Sequence, residues 1–453
     1  MTDKEGGERG LPLSSEVAVL GLGKSGRSAA LLLVREGRRV YVSDADPNAS
    51  WSAPPGVDVQ AGAHDLARIC RSSLVVTSPG VPPTAPPLAA ARAAGVPIIS
   101  EVELALRAMP GLRYIAVTGT NGKTTTTALI GHLLRALGYN AIDAGNIGLP
   151  LAEVALESSG VEWVALELSS FQLHDTPSVD PSVGVLTNLS PDHLDRYATV
   201  EDYYADKGRL FANARAASKL VVNADDPASL GLVAGASGTH YHFSIAGHPA
   251  DATLRSNTLV LGPDVLLNRS ELQLLGAHNV ANALAAALAV TVADAAHSAP
   301  QARQKIAEAL RTFGALPHRL QLVGEYDGVQ WINDSKATNV SSALVALESM
   351  TRPTILLAGG VHKGEPYTAL AAPLARVGKA VLAYGEAAPL IVSDLVGKVP
   401  VERLGHDFNE VIARARSLAA PGDAVLLAPA CSSFDMFHNY VERGETFARL
   451  APS

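Results

Sequence analysis

Residues Tyr114–Thr125 read YIAVTGTNGKTT. The first five form a short apolar run with β-branched members, which suits a buried parallel strand. A glycine-rich turn follows, and Lys123–Leu137 reads as a helix. Strand, glycine loop and helix in that order make a phosphate cradle. Successive backbone N–H groups can face an anion, and the helix N-terminus favours its charge. Lys123 can reach the β/γ phosphates of ATP, and the Thr124 hydroxyl can ligate Mg²⁺. Only two residues separate Gly119 from Gly122, so the spacing departs from GxxxxGK[ST].

The same alternation recurs on both sides of this loop. Glu16–Leu20, Arg38–Ser43 and Leu74–Thr77 read as strands before it. Trp163–Glu167, Val183–Leu186 and Leu220–Asn223 read as strands after it, followed by an Ala-rich helix beyond His278. Further strands are expected at Val329–Ile332, Thr354–Leu357, Ala380–Ala383 and Ala424–Ala428. Strands alternating with helices predict α/β layers with parallel sheets. The length of 453 residues sets a prior of about three domains. Met109-Pro110-Gly111 reads as a linker. The expected domains are residues 1–108, 109–314 and 315–453.

Composition removes several classes. Hydrophobic residues are 47% and charged residues 18%, which excludes global disorder. The net charge is 36 − 44 = −8, so a basic nucleic-acid-binding face is not expected. Anionic small ligands stay possible, because a few focused cations and helix N-termini can hold them. Cys70 and Cys431 give no disulfide framework and no zinc cluster, and they fit a reducing cytoplasm. Both are read as packing residues. The polar, acidic stretch Met1–Gly10 lacks the pattern of a signal peptide. Val280–Val292 is too short for a membrane span and reads as a buried helix. No membrane insertion is expected.

A second glycine loop, GLGKSG at Gly21–Gly26, fits GxGxxG between a strand and a helix. Asp44 ends the next strand, about where a ribose-binding acid belongs. On residues alone this loop reads as a nucleotide site, an NAD site or a bare turn. Ser78-Pro79-Gly80 ends another strand on the same sheet edge. A dehydrogenase would need no ATP-type loop in its next domain, so Gly119–Thr125 favours an ATP-dependent enzyme whose first domain holds a nucleotide-linked substrate.

TGTNGKTTT at Thr118–Thr126 resembles the ATP loop of the Mur ligase superfamily, the cytoplasmic amide ligases of peptidoglycan synthesis. GNIGLP at Gly145–Pro150, ELSSFQL at Glu167–Leu173 and DHLDRY at Asp192–Tyr197 follow in the family's order. So do His278-Asn279 with Asn282, LPHR at Leu316–Arg319, NDSKATN at Asn333–Asn339 and PACSSFD at Pro429–Asp435. ELSSFQL, NDSKATN and PACSSFD are most similar to the family member that adds D-glutamate, and no DNPR-like tetrapeptide is present.

The resemblance implies three α/β domains: a Rossmann-like N-terminal domain, a P-loop ATPase-like central domain and a Rossmann-like C-terminal domain. It implies joining of D-glutamate to UDP-N-acetylmuramoyl-L-alanine, with ATP converted to ADP and phosphate. A carboxylate is a poor electrophile, so an acyl phosphate is made first and the glutamate amine attacks it. Most of the catalysis is positioning and charge neutralisation.

The implied ATP contacts are Gly119, Thr120, Asn121, Gly122, Lys123, Thr124, Thr125, Asn279, Asn282, Arg319 and Asp334. Thr124, Glu167, His193 and Lys207 are the implied ligands of two Mg²⁺ ions, and with Lys123 the last three form the catalytic set. Glu167 ends a strand, and His193 follows Ser190-Pro191-Asp192, which resembles a helix N-cap. Lys207 in YYADKGRLF would ordinarily be a solvated helix residue; the resemblance implies N-carbamylation, which needs a neutral amine. Ser25 and Asp44 are implied at the uracil end of the UDP-substrate, Ser78 and Gly80 at its diphosphate, and Asn146 elsewhere on it. Asp46 would add negative charge there. Lys336, Thr338, Lys363 and Ser433 are implied for the D-glutamate carboxylates, with Phe434 and Tyr440 as a wall. His362 and Pro366 stand where acidic residues are expected, and Tyr440 where Phe is common. The resemblance further implies a monomer whose third domain closes on ATP.

Overall fold

The computed structural model describes residues 15–157, 160–193 and 196–451. Met1–Gly10, and Leu194 and Asp195 of the DHLDRY segment, lie outside the described residues. No helix among the described residues is long and apolar enough to cross a membrane.

Three sheets are present. The first has five parallel strands in the order Val57–Ala61, Arg39–Asp44, Glu16–Leu20, Leu74–Thr77, Ile98–Ser100. The strand order reverses between Glu16–Leu20 and Leu74–Thr77. The loops leaving those two strands part there and open a crevice, the usual ligand position in such sheets. Val17, Val19, Val40, Val42 and Val76 fill one face of this sheet and Ala18, Leu20, Tyr41 and Val75 the other. Burial on both faces explains the unbroken apolar strands.

In the second sheet Tyr114–Thr118 lies between Trp163–Glu167 and Val183–Leu186, all parallel. Lys123–Leu137 follows Tyr114–Thr118 as a helix. Lys219–Asn223 and Thr239–Ser244 extend the sheet in parallel. Three short strands, Ala252–Arg255, Thr258–Leu261 and Asp264–Asn268, then extend it further. The first two of these are antiparallel, a hairpin that the alternation of strands and helices did not announce. Their two-residue turn, Ser256-Asn257, has φ of 44° and 66°. That is the left-handed pair a tight hairpin needs, supplied without the glycine that would have announced it. The Ala-rich helix runs over Ala277–Ala293, with Ala283–Val290 buried.

The third sheet has the order Gln321–Tyr326, Val329–Asn333, Ala424–Leu427, Thr354–Gly359, Gly378–Tyr384, Val401–Arg403. Its first pair is antiparallel and the others are parallel. NDSKATN, the segment GGVHKGE at Gly359–Glu365, and PACSSFD all leave the carboxyl ends of its strands, the edge where such sheets bind ligands.

The chain divides into two compact units. One lies within Met1–Leu267 and Asn282–Leu310 and carries the first two sheets. The other lies within Asn268–Ala281 and Arg311–Ser453 and carries the third.

Within the first unit, Glu101 is 1% exposed. Its Oε1 accepts from the Ala152 N–H at the start of helix Leu151–Glu157, while Oε2 is buried without a partner. Burial, helped by the nearby Glu153, pushes its carboxyl up to about 7, against the pull of the Ala152 N–H. A carboxyl raised in the folded state is stabilising when protonated. That contribution is full below the unfolded pKa near 4.5 and is lost as pH rises through about 7. We expect the stability of Glu101→Gln relative to the native chain to rise by on the order of 3 kcal/mol between pH 5 and pH 8. Urea unfolding at the two pH values checks this; a difference independent of pH would refute it.

Candidate active site

The glycine loop is held by its own neighbours. Thr120 N–H donates to the Asn188 carbonyl, and Asn121 N–H to Asn188 Oδ1. The Thr187 hydroxyl donates to the Asn121 carbonyl at 2.6 Å. Gly119 has φ of +142°, and a Cβ there would lie 2.0 Å from Thr187 Oγ1. A Cβ on Gly122 would lie 2.3 Å from Asn282 Oδ1, which also accepts from the Thr126 hydroxyl. Both glycines are therefore steric requirements. Gly119→Ala should lower kcat/KM by roughly 100-fold, about 3 kcal/mol of strain and misplacement in the cradle. Steady-state kinetics checks this; near-normal kcat/KM would show that the loop tolerates the methyl.

Two lysines meet one carbonyl at this loop. Lys123 Nζ donates to the Gly119 and Thr120 carbonyls at 2.9 and 2.8 Å. Lys207 Nζ donates to the same Gly119 carbonyl at 2.7 Å. Lys207 is 1% exposed and lies over the Tyr203 ring, 4.5 Å from its centroid. Burial, and next the Lys123 charge, hold its amine well below the usual lysine range; Asp192, Glu167 and Asp206 oppose this. Its helix, Val200–Gly208, is capped by the Thr199 hydroxyl.

Glu167 ends its strand 1% exposed. Its Oε1 accepts from Asn146 Nδ2 at 2.8 Å, and its Oε2 is buried without a partner. His193 is exposed, with φ of 56° and ring contacts to Phe171 and Tyr203. The N-cap reading of Ser190-Pro191-Asp192 is corrected: that segment has no regular structure, and the next helix starts at Val200. Asp192 Oδ1 accepts from the adjacent His193 N–H rather than from an N–H of a following helical turn. Among the described residues no group of three or more His, Cys, Asp or Glu could hold a metal.

The crevice of the first sheet is a cleft of about 860 Å³. Ser25, Asp44, Ser78, Gly80 and Asn146 all line it, so the five residues expected for the UDP-substrate share one cavity. Asp44 carries an unforeseen load. Its Oδ2 accepts from Leu22 N–H at 2.7 Å and its Oδ1 from Asp46 N–H at 2.9 Å, which fixes the glycine loop. Asp46 is a turn residue, its Oδ1 accepting from Asn48 N–H. Asn146 belongs to the cleft and touches Glu167, so one side chain joins the two sites.

In the second unit, Asp334 is buried and accepts from Leu320 N–H. Burial pushes its carboxyl up to about 7, opposed by that bond and by Arg319. Asn279 Nδ2 donates to the Leu275 carbonyl. Lys336 Nζ lies 4.0 Å from the Tyr440 ring centroid, which places those two expected glutamate residues together. Thr338 is half-buried, Ser433 buried and Lys363 exposed; Phe434 stands 73% exposed. His362 pairs with the Tyr367 hydroxyl at 2.9 Å, and that hydroxyl with Cys431 Sγ at 3.0 Å. The acid near Pro366 is Glu365, whose carboxylate accepts from Val340 N–H.

Sequence reading missed Arg443. It is fully buried on helix Tyr440–Leu450, with no carboxylate partner among the described residues. Nε donates to Ser335 Oγ at 3.0 Å, and Nη2 to the Ser335 and Cys431 carbonyls at 2.9 and 3.2 Å. Nη1 reaches the Gly359 carbonyl at 3.4 Å. One guanidinium thus ties the NDSKATN, GGVHKGE and PACSSFD loops together.

Three family models match the chain: the Mur ligase MurD-like N-terminal domain over residues 15–100, the Mur ligase middle domain over 117–290, and the Mur ligase glutamate ligase domain over 318–431. Two similar proteins are each named UDP-N-acetylmuramoylalanine--D-glutamate ligase. That of Acidobacterium capsulatum is 41% identical, over 96% of this chain and 95% of that protein. That of Myxococcus xanthus is 41% identical, over 97% and 99%. Among solved structures, the UDP-N-acetylmuramate-alanine ligase MurC of Thermotoga maritima aligns with a TM-score of 0.60 at 19% identity, over 96% of this chain and 98% of that one. A pseudomurein peptide ligase type C from Methanothermus fervidus aligns at 0.61 and 20%, over 96% and 99%. The structural likeness speaks for the fold.

Proposed function

Because this chain belongs to the Mur ligase family, as relatives 41% identical over nearly its whole length establish, we propose how its residues divide the work of the family's reaction. The chain is an ATP-dependent ligase that joins D-glutamate to UDP-N-acetylmuramoyl-L-alanine in peptidoglycan precursor synthesis. The observation that carries the assignment of roles is the meeting of Lys123 and Lys207 on the Gly119 carbonyl, with Glu167 and Asp192 close enough to act on Lys207.

Gly119–Thr125 cradles the ATP phosphates. Lys123 leaves its two loop carbonyls to follow the transferring phosphate. Asn279, Asn282, Arg319 and Asp334 take the rest of ATP. The cleft of Ser25, Asp44, Ser78, Gly80 and Asn146 holds the UDP-substrate. Lys336, Thr338, Lys363 and Ser433 answer the two carboxylates of D-glutamate, beside Phe434 and Tyr440. With the carboxylate acceptor activated as an acyl phosphate, the glutamate amine attacks and phosphate leaves.

Thr124, Glu167, His193 and Lys207 are the positions we assign to Mg²⁺. The orphaned, buried Glu167 Oε2 fits a cation ligand, and the remaining ligands of such ions are commonly phosphate and water oxygens. When bound, Mg²⁺ would neutralise charge on the crowded phosphate oxygens. Lys207 suits carbamylation: its amine is buried and held toward the neutral form. A lysine amine and CO₂ give a carbamate and a proton, turning a cation into an anionic group. We place this chemistry in the cytoplasm, carried out by a monomer.

The test is an ADP-release assay across amino acids with each UDP-linked precursor. ADP release should require D-glutamate and UDP-N-acetylmuramoyl-L-alanine together. Release with another amino acid or precursor in their place would move the chain to a different ligase of the family.

A further inference from the structure

We infer that His64 is a nucleoside-recognising residue of the first-domain cleft, donating a hydrogen bond from Nε2 to an oxygen of the uridine half of the substrate. This rests on the reading of that cleft as the UDP-substrate site. His64 follows the edge strand Val57–Ala61, which pairs with the strand that Asp44 ends. Its ring lines the cleft alongside Asp44 and Ser25, the two residues placed at the uracil end.

The imidazole is held from one side only. Nδ1 lies 2.8 Å from the Ser43 hydroxyl, and Ser43 is completely buried. Among the described residues that hydroxyl has no other partner, so donating to Nδ1 is the arrangement that leaves no buried O–H unsatisfied. Nδ1 is then the acceptor and Nε2 carries the proton. Among the described residues Nε2 has no partner. Burial also holds the ring below its usual pKa, against the nearby Asp44 carboxylate, which favours the uncharged form of the donor. A neutral donor suits a carbonyl or hydroxyl oxygen of a nucleoside. Asp44, an acceptor only, cannot supply this hydrogen-bond donor; its oxygens accept from Leu22 and Asp46. The Ser43 tether fixes the ring before any ligand arrives, so little ordering cost is added on binding.

Calorimetry with UDP on the full chain, comparing His64→Ala, His64→Asn and His64→Gln, tests this. The amide of Gln can reproduce the Nε2 donor, and the amide of Asn can reproduce only the Nδ1 contact. We expect Kd for UDP to rise about tenfold in His64→Ala and His64→Asn and to stay near native in His64→Gln. In turnover, KM for the UDP-substrate should follow Kd, while kcat and KM for ATP stay unchanged. Rescue by Asn but not Gln would assign His64 to bracing Ser43 and overturn the proposal, as would native affinity in all three. If the native chain failed to bind UDP, the reading of the cleft would fall first. Thermal melts of each variant, expected to match the native chain, separate these outcomes from misfolding.

Discussion

Lys207→Ala is expected to lower kcat by roughly 1,000-fold, the scale at which a charge-stabilising group leaves an active site, and to regain part of it with added acetate, formate or propionate. The argument starts from burial. An ammonium in this position would face Lys123 across a shared carbonyl at hydrogen-bond distance. Burial and the Lys123 charge shift the amine toward its neutral form, and only a neutral amine takes up CO₂. Small carboxylates can enter the space left by the side chain and supply an anionic group. A thermal melt checks that the variant folds, since it loses both the bond to the Gly119 carbonyl and the packing on the Tyr203 ring. Turnover with and without the added acids is the measurement. Near-normal activity without them would sink the idea, and a loss that no acid repairs would argue for the amine itself.

The second large effect is on stability. Arg443→Ala should lower the unfolding temperature of the unit that contains it by roughly 10 °C. Four acceptors lose their donor at about 1 kcal/mol each, in a place water does not reach. Arg443→Lys should recover little, because a single ammonium cannot reproduce a planar fork reaching three loops. Calorimetric scans of the two variants decide it; unchanged melting would show that the loops hold their places without the guanidinium. The KM for D-glutamate should rise in Arg443→Lys if the three loops it ties are the ones that hold that substrate.

Much of this was legible beforehand for definite reasons. Tyr114–Thr118 and Lys123–Leu137 fall where apolar run, glycine loop and helix composition put them. Ser25, Asp44, Ser78 and Gly80 reach one cleft because the loops of the first sheet part where its strand order reverses, and Asn146 joins them from the loop after Ala141–Gly145 of the second sheet. The hairpin at Ser256-Asn257 was hidden because its turn lacks glycine and its strands are short. Arg443 was hidden because an arginine between two glutamates, in YVERGETF, has the composition of a solvated helix face. Only packing reveals that it turns inward. His64 was hidden for a related reason: its use depends on Ser43, 21 positions away and on another strand.

The hydrogen bond from Asn146 to Glu167 has a thermodynamic consequence. Asn146 lines the cleft assigned to one substrate, while Glu167 belongs to the group assigned to the other's phosphates. A ligand that pulls on Asn146 changes the state of Glu167, and the reverse holds equally. Such coupling is reciprocal: whatever factor one ligand applies to the other's dissociation constant must be returned in full. Removing the amide with Asn146→Ala would cut that link and shrink the factor by which each ligand changes the other's dissociation constant, which paired titrations of the two ligands measure.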